Sequence, residues 1–342
     1  MHDINNSSVH FIRLRCQRGG MPPLLMAALL TILLIGVLYT MVELQRVGEE
    51  LAEAPATETI APDPLILGFL PSQRADELVP DAERLGRFLG ERMGRKVDVV
   101  VPSAYEPLIE GLRFGHVHAA FLDGGPGWIA HNRLGAEVLL AEVKDGRTHY
   151  YAEAFVRSDS PMEELADVKG KRLAFTSRTG SSGFLMPVGS MISEGILEPR
   201  GDSIAALEQA LQTTFAATID AGGYRQALLA VLDGRADVAF GAHDGPDRFL
   251  EEDERALIRP LHRFGRIPSH AIMVAPNLAD EVKESLREAL LALNDPENLP
   301  LLRAIYGVDG LEPVTTEEHL GEFGRAISNL PGIERSLMNR VR

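Results

Sequence analysis

Cysteine is almost absent. Cys16 is the single one in 342 residues, and it precedes the hydrophobic segment described below, so the folded part can carry neither a disulfide nor a cysteine-based metal site. A thiol-free domain suits an oxidising compartment. Positive charge is also scarce: 34 Lys and Arg stand against 49 Asp and Glu, a formal net charge of -15. That balance argues against a nucleic-acid partner and against a basic membrane-surface patch. Catalytic signatures are missing too. No phosphate loop or dinucleotide fingerprint occurs, and there is no Gly-x-Ser-x-Gly elbow or Ser-Lys or His-Asp pairing at recognisable spacing. Histidines are scattered singly; His116 and His118 alternate along a strand start, nothing completes a metal set, and they read as structural. The expectation is a binding protein with no metal and no cofactor.

What is present is a globular composition, 45% apolar and 24% charged, in a chain long enough for two lobes with a real core. One long apolar run stands out. Pro22 to Val42 is almost free of charge and matches the ~20 residues a bilayer-spanning helix requires. Arg13, Arg15 and Arg18 precede it, and Glu43, Glu49, Glu50 and Glu53 follow, which orients the amino end inward. The expected organisation is a short cytoplasmic segment at 1–21, a transmembrane anchor at 22–42, and a linker at 43–64 rich in Ala, Glu and Pro. The remainder then lies outside the cytoplasm, tethered to the inner membrane. A cleaved signal peptide is the plainer alternative, but its apolar region usually spans only ~7–15 residues, and Ala52-Glu53-Ala54 is displaced and charged.

After the linker the pattern is α/β. Strand runs at Leu65–Leu70, Val97–Val101, Ala119–Leu122, Arg172–Thr176, Thr213–Ile219 and Ala236–Gly241 alternate with helical spacing at Asp81–Met93, Tyr105–Phe114, Pro126–Asn132, and from Gly183 and Gly223. Tyr150 to Val156 reads as an extended crossing. The chain returns through Ile258–Arg266 and Ser269–Val274, and ends in helical stretches at Leu278–Leu293 and Glu317–Met338. Tyr105 to Phe121 aligns without a gap on Tyr224 to Phe240, each a helix begun by Tyr and stopped by Gly before a short buried strand. Two similar lobes facing across a cleft would explain this echo; chance similarity of βαβ units is the other explanation. The expected division is residues 65–153 and 258–342 in lobe 1 and 154–257 in lobe 2.

The stretch Thr179-Gly-Ser-Ser-Gly-Phe-Leu-Met-Pro187 follows the Arg172 to Thr176 strand. With Ser182 as the N-cap, the amides of the next turn lack intrahelical partners. Small residues, the Ser181 and Ser182 hydroxyls and the helix dipole make such a turn an anion site, although an ordinary cap reads the same way in isolation.

In order, Leu67-Gly-Phe-Leu-Pro-Ser72, Ala104-Tyr-Glu-Pro-Leu-Ile-Glu-Gly-Leu-Arg-Phe-Gly115, Ala120-Phe-Leu122, Tyr150-Tyr151, Ser181-Ser-Gly-Phe-Leu-Met-Pro187, Gly223-Tyr-Arg-Gln-Ala-Leu-Leu-Ala-Val-Leu-Asp-Gly234 and Arg266-Ile-Pro268 resemble the PhnD-like phosphate, phosphite and phosphonate binding proteins of ABC importers. The resemblance runs from about Pro64 to Pro313. It implies a type II periplasmic-binding-protein fold, with two α/β lobes joined by a two-crossing hinge and, here, one transmembrane helix in front. Carried over by position, it implies oxyanion contacts at Gly180, Ser181, Ser182 and Gly183, with Tyr105, Tyr150 and Tyr224 contributing and Ser72 counted with them. Gly180 stands where the family often has Ser or Thr, and Tyr224 where it has histidine. The acid after the Ala236–Phe240 strand is kept as Asp244, while the second acid expected after Ile267-Pro268 is His270. Paired acids grip an ammonium in aminoalkylphosphonate binders, so that recognition requires Asp123 to supply the missing carboxylate.

Plainer readings stand beside these. Tyr105 and Tyr224 would serve as packing aromatics, Asp244 as a turn or cap residue, and His243 and His270 as surface or satisfied core histidines. The implied function is capture of a small oxyanion for an ABC permease in the inner membrane. A membrane-tethered sensor acting through a partner protein, and a hydrolase using Ser181 or Ser182, are the alternatives.

Overall fold

The short apolar runs become the central strands of two sheets because each is flanked by a glycine or polar turn that sends the chain into a covering helix. The computed structural model describes residues 58–70 and 75–339. The expected segments 1–21 and 22–42, most of the linker, Cys16 and Ser72 lie outside the described residues. Among the described residues, no helix is long and apolar enough to cross a membrane.

The first half builds β1 (Leu65–Gly68), α1 (Ala75–Met93), β2 (Val97–Val100), α2 (Tyr105–Phe114), β3 (Ala119–Leu122), α3 (Gly124–Leu134) and β4 (Glu137–Val143). The α2 helix ends where Gly115 adopts φ 70°, a left-handed stop that glycine takes without strain. The chain then enters β5 (His149–Arg157), β6 (Arg172–Phe175), a π-helical turn at Ser181–Leu185, α4 (Met186–Ser193), α5 (Ile204–Thr214), β7 (Ala217–Asp220), α6 (Tyr224–Leu232), β8 (Val238–Ala242), the short α7 (Gly245–Phe249) and α8 (Glu252–Arg255), and β9 (Ile258–Pro268). It finishes with β10 (Ala271–Val274), α9 (Asp280–Leu291), α10 (Leu299–Tyr306), β11 (Gly310–Glu312), α11 (Thr316–Ser328) and α12 (Ile333–Met338).

The first sheet has the order β11-β4-β10-β3-β1-β2 and the second β7-β6-β8-β5-β9. Their centres correspond strand for strand. In the first, β2, β1 and β3 are parallel and β10 runs antiparallel beside β3; in the second, β7, β6 and β8 are parallel and β5 runs antiparallel beside β8. The two copies of the Tyr-to-Phe echo thus occupy matching places, α2–β3 and α6–β8. The fully buried Phe69, Phe121, Phe155, Phe175, Phe184 and Phe240 fill the interior beside these strands.

The chain passes between the sheets twice, after β4 and after β9. Both crossings differ from the expected lobe limits at 153/154 and 257/258. Residues 149–153 already pair in the second sheet, and β9, expected in lobe 1, pairs antiparallel with β5 from His149↔Pro268 to Arg157↔Ile258. β9 is an edge strand, half-buried or exposed along most of its length, and a local pattern of that kind does not say which sheet supplies the neighbour. Other differences are local. The Thr213–Ile219 run splits, its first residues closing α5; the Glu317–Met338 stretch breaks at Gly332, φ 67°; β4, α5 and α10 have no counterpart among the expected elements. Ile60, inside the expected linker, docks on the fold, accepting from Ala279 N at 2.8 Å and donating to Asn277 O at 2.9 Å.

Candidate functional site

Where β6 ends, Thr176 and the following loop turn the chain into the π-helical turn. The expected N-cap at Ser182 is corrected: the cap position is Gly180, with extended backbone and no side-chain cap. Its carbonyl accepts both Phe184 N at 2.9 Å and Leu185 N at 3.0 Å. The amides of Ser181, Ser182 and Gly183 precede these closures and have no carbonyl one turn back within the helix, which leaves them to an external acceptor. The glycines have a second reason to be glycine. A Cβ on Gly183 would lie 2.0 Å from Thr176 Oγ1, and one on Gly180 2.5 Å from the same atom.

Ser182 is fully buried, and its hydroxyl lies 2.8 Å from the Tyr224 hydroxyl. Tyr224 opens α6 and stacks on Phe249, with ring centroids 5.6 Å apart. The third hydroxyl is Tyr150. Burial pushes its phenol well above the ordinary value, neighbouring Tyr224 and Asp123 add to this, and a hydrogen bond with Ser182 partly offsets it. Tyr150 is therefore a neutral hydroxyl that senses both the Ser182 corner and Asp123.

The first-sheet side contributes a chain of paired groups. The Tyr105 hydroxyl, buried at the start of α2, donates to Asp123 Oδ2 at 2.5 Å. Asp123, just ahead of α3, holds His270 Nε2 with Oδ1 at 3.0 Å. On the other ring edge, His270 Nδ1 lies 2.8 Å from Glu142 Oε2; the approach is out of line with the N–H, since neither His270 Nδ1 nor Glu142 Oε1 has an aligned partner. Burial of the imidazole pulls its pKa down, but the charge and hydrogen bond of Asp123, with Glu142 close on the other edge, outweigh that and raise it to about 9. His270 is an imidazolium between two carboxylates. It sits on the second crossing, and Glu142 is the last residue but one of β4, before the first; the two are stitched by Glu142 N donating to His270 O at 2.9 Å and Ser269 Oγ donating to Glu142 O at 2.6 Å.

The geometry brings Tyr105, Asp123 and His270 into one cluster and Ser182 and Tyr224 into another, and Tyr150 lies near enough to Ser182, Tyr224 and Asp123 for all three to shift its phenol. Asp244 follows β8 and precedes α7, whose Phe249 stacks on Tyr224; its Oδ2 is 3.4 Å from Arg248 Nη1, and its Oδ1 is buried without a partner. His118 is structural, accepting from Ile66 N at 2.9 Å. Glu142 and Tyr306 were not among the expected residues. Tyr306 meets the His270 ring edge-on with centroids 5.7 Å apart and accepts from Leu70 N at 3.0 Å. The available signal for Glu142 was a lone acid in the apolar run Val138-Leu-Leu-Ala-Glu-Val143, a pattern that either exposes a charge or buries it with a partner. Two depressions of about 410 Å³ beside Lys169 and Arg200 and about 810 Å³ beside Glu83 and Arg87 lie away from these groups and lack their converging hydroxyls and amides.

Two sheets of matching strand order, with a turn at the carboxyl end of β6 whose leading amides have no intrahelical acceptor, are what the fold supplies. Residues 67–319 match the family model described as "ABC transporter, phosphonate, periplasmic substrate-binding protein", and the chain belongs to that family. The "Phosphate-import protein PhnD" of Mycolicibacterium smegmatis is 30% identical over 185 residues, 52% of this chain and 55% of that protein. The "Phosphonates-binding periplasmic protein" of Escherichia coli is 25% identical over 229 residues, 65% of this chain and 64% of that one. The chain thus matches between about half and two thirds of these relatives' length. Among solved structures, XAC2383 from Xanthomonas citri bound to chloride ion has a TM-score of 0.61 at 22% identity, covering 78% of this chain and 98% of that one. At that identity the likeness shows the shared fold.

Proposed function

We propose that this chain captures a phosphate- or phosphonate-type oxyanion between its two sheets, outside the cytoplasm, and presents it to an ABC permease. The observation that carries the reading is the Ser181–Gly183 turn, whose amides have no carbonyl one turn back within the helix while the hydroxyls of Ser182, Tyr224 and Tyr150 gather beside it. Neutral donors suit an oxyanion because several hydrogen bonds share its charge without a buried ion pair. Family membership supports the same reading, and the name of the Mycolicibacterium smegmatis relative extends it to import.

In this reading the two sheets belong to lobes that close on the ligand about the crossings after β4 and β9, so binding shifts an open-to-closed equilibrium by its differential affinity. The apolar run at 22–42 acts as an inner-membrane anchor that keeps the domain near its permease in the periplasm. The chain works by binding alone. Ser182 has phenols for neighbours, and Tyr150, held protonated by burial, supplies no base to activate a serine.

Isothermal titration of the full chain with phosphate, phosphite, methylphosphonate, sulfate and acetate tests this. Binding of at least one phosphorus oxyanion, weakened in Ser182→Ala, is the expected result; no heat with any of them, or equal affinity in the variant, overturns it.

A further inference from the structure

An acid beside an anion site ordinarily repels the anion or grips a cation on the ligand. Asp123 is placed to do either: it follows the carboxyl end of β3, where open α/β sheets meet their ligands, and Tyr150 senses it together with Ser182. Yet both of its oxygens are engaged: Oδ2 accepts from Tyr105 and Oδ1 pairs with His270. His270 in turn has both ring nitrogens against acids, and the second acid, Glu142, is only 2% exposed.

We propose that Glu142 and His270 are the specificity-determining pair of this site, compensating Asp123 so that the cleft selects small phosphorus oxyanions without a cationic substituent over aminoalkylphosphonates. The inference rests on the oxyanion-capture reading above and names its ligand class. Two carboxylates share one imidazolium, and Glu142 Oε1 is buried without an aligned donor, an arrangement tolerable only while the ring beside it carries charge. Tyr306 from α10 presents a ring edge, and His319 from α11 is held neutral by burial, its pKa lowered to about 4. An ammonium arriving at Asp123 would have to displace His270 from its 3.0 Å contact and leave Glu142 as a buried, uncompensated charge. Asp244, the other expected acid, has the Arg248 guanidinium 3.4 Å from Oδ2 while its Oδ1 is buried without a partner, so it stands outside the Asp123–His270–Glu142 chain that the inference concerns.

The test is titration of the full chain, in detergent, with methylphosphonate and 2-aminoethylphosphonate at neutral pH, repeated for His270→Asn and Glu142→Gln after circular dichroism has checked their fold. Wild type should prefer methylphosphonate by about tenfold or more, and each folded variant should narrow that ratio, His270→Asn the more. A wild-type ratio near one, or reversed, overturns the inference even where the variants fail to fold; so does an unchanged ratio in both folded variants. Absence of binding to either phosphonate and to phosphate overturns the capture reading itself, and this inference with it.

Discussion

Gly189 of α4 and Ala326 of α11 touch through their backbones: a Cβ on Gly189 would lie 2.1 Å from the Ala326 carbonyl oxygen. On its other side α11 takes the Trp128 ring over Gly324, where a Cβ would be 2.0 Å from the indole, and Trp128 Nε1 donates to Ser328 Oγ at 2.9 Å. One helix thus packs on α3 from the first half of the chain and on α4 after the crossing, so anything that pushes α11 away loosens both contacts.

Gly189→Ala and Gly324→Ala should each destabilise by about 1–3 kcal/mol through overpacking, read as a lower urea midpoint. Because the two contacts share one helix, the double variant should show non-additive loss. Midpoints equal to wild type would show that the helices separate freely.

Ser182→Ala should weaken anion binding by about 1–3 kcal/mol, the range for a lost hydrogen bond to a charged group plus the stranded Tyr224 hydroxyl. Tyr224→Phe should show a similar loss. In a double-mutant cycle by titration calorimetry the pair should couple, since the two hydroxyls share the 2.8 Å contact; strict additivity would mean they act separately.

Gly183→Ala should abolish binding through the clash with Thr176, whose Oγ1, Cγ2 and Cβ would lie 2.0, 2.6 and 2.8 Å from the new methyl. Thr176→Gly in the same chain removes all three atoms and should recover part of the affinity. Failure of that rescue would assign the effect to direct obstruction of the ligand.

Two histidines should shape stability against pH in opposite directions. His270 is raised from 6.5 to about 9, so the folded state holds its proton more tightly. Its contribution is full below about 6.5 and is lost as pH rises through about 9. His319, lowered from 6.5 to about 4, is neutral in the fold with Nε2 3.0 Å from Ser269 O. Its contribution is full above about 6.5 and is lost as pH falls through about 4. In urea unfolding across this range, His270→Asn should flatten the alkaline limb and His319→Gln the acid limb; unchanged limbs would count against these pairings.

Much of this architecture was written locally. The period of apolar residues and the glycine stops set the bounds of α2 as Tyr105–Phe114 and of β3 as Ala119–Leu122, and the echo at Tyr224 to Phe240 landed on the matching helix and strand of the other sheet. The serine turn was legible for the same reason, since small residues after an apolar strand are a feature of neighbouring positions; its cap was misplaced by two residues because a π-helical closure onto Gly180 leaves no periodic mark. Tertiary structure alone decided that Ile258–Pro268 pairs with β5 and that Asp123, His270 and Glu142 meet. Those three come from separate segments, and nothing in the spacing of one says where another will arrive. Local residue order sets which backbone a segment can adopt, whereas the charge a buried acid retains depends on the group that the packed sheets bring against it.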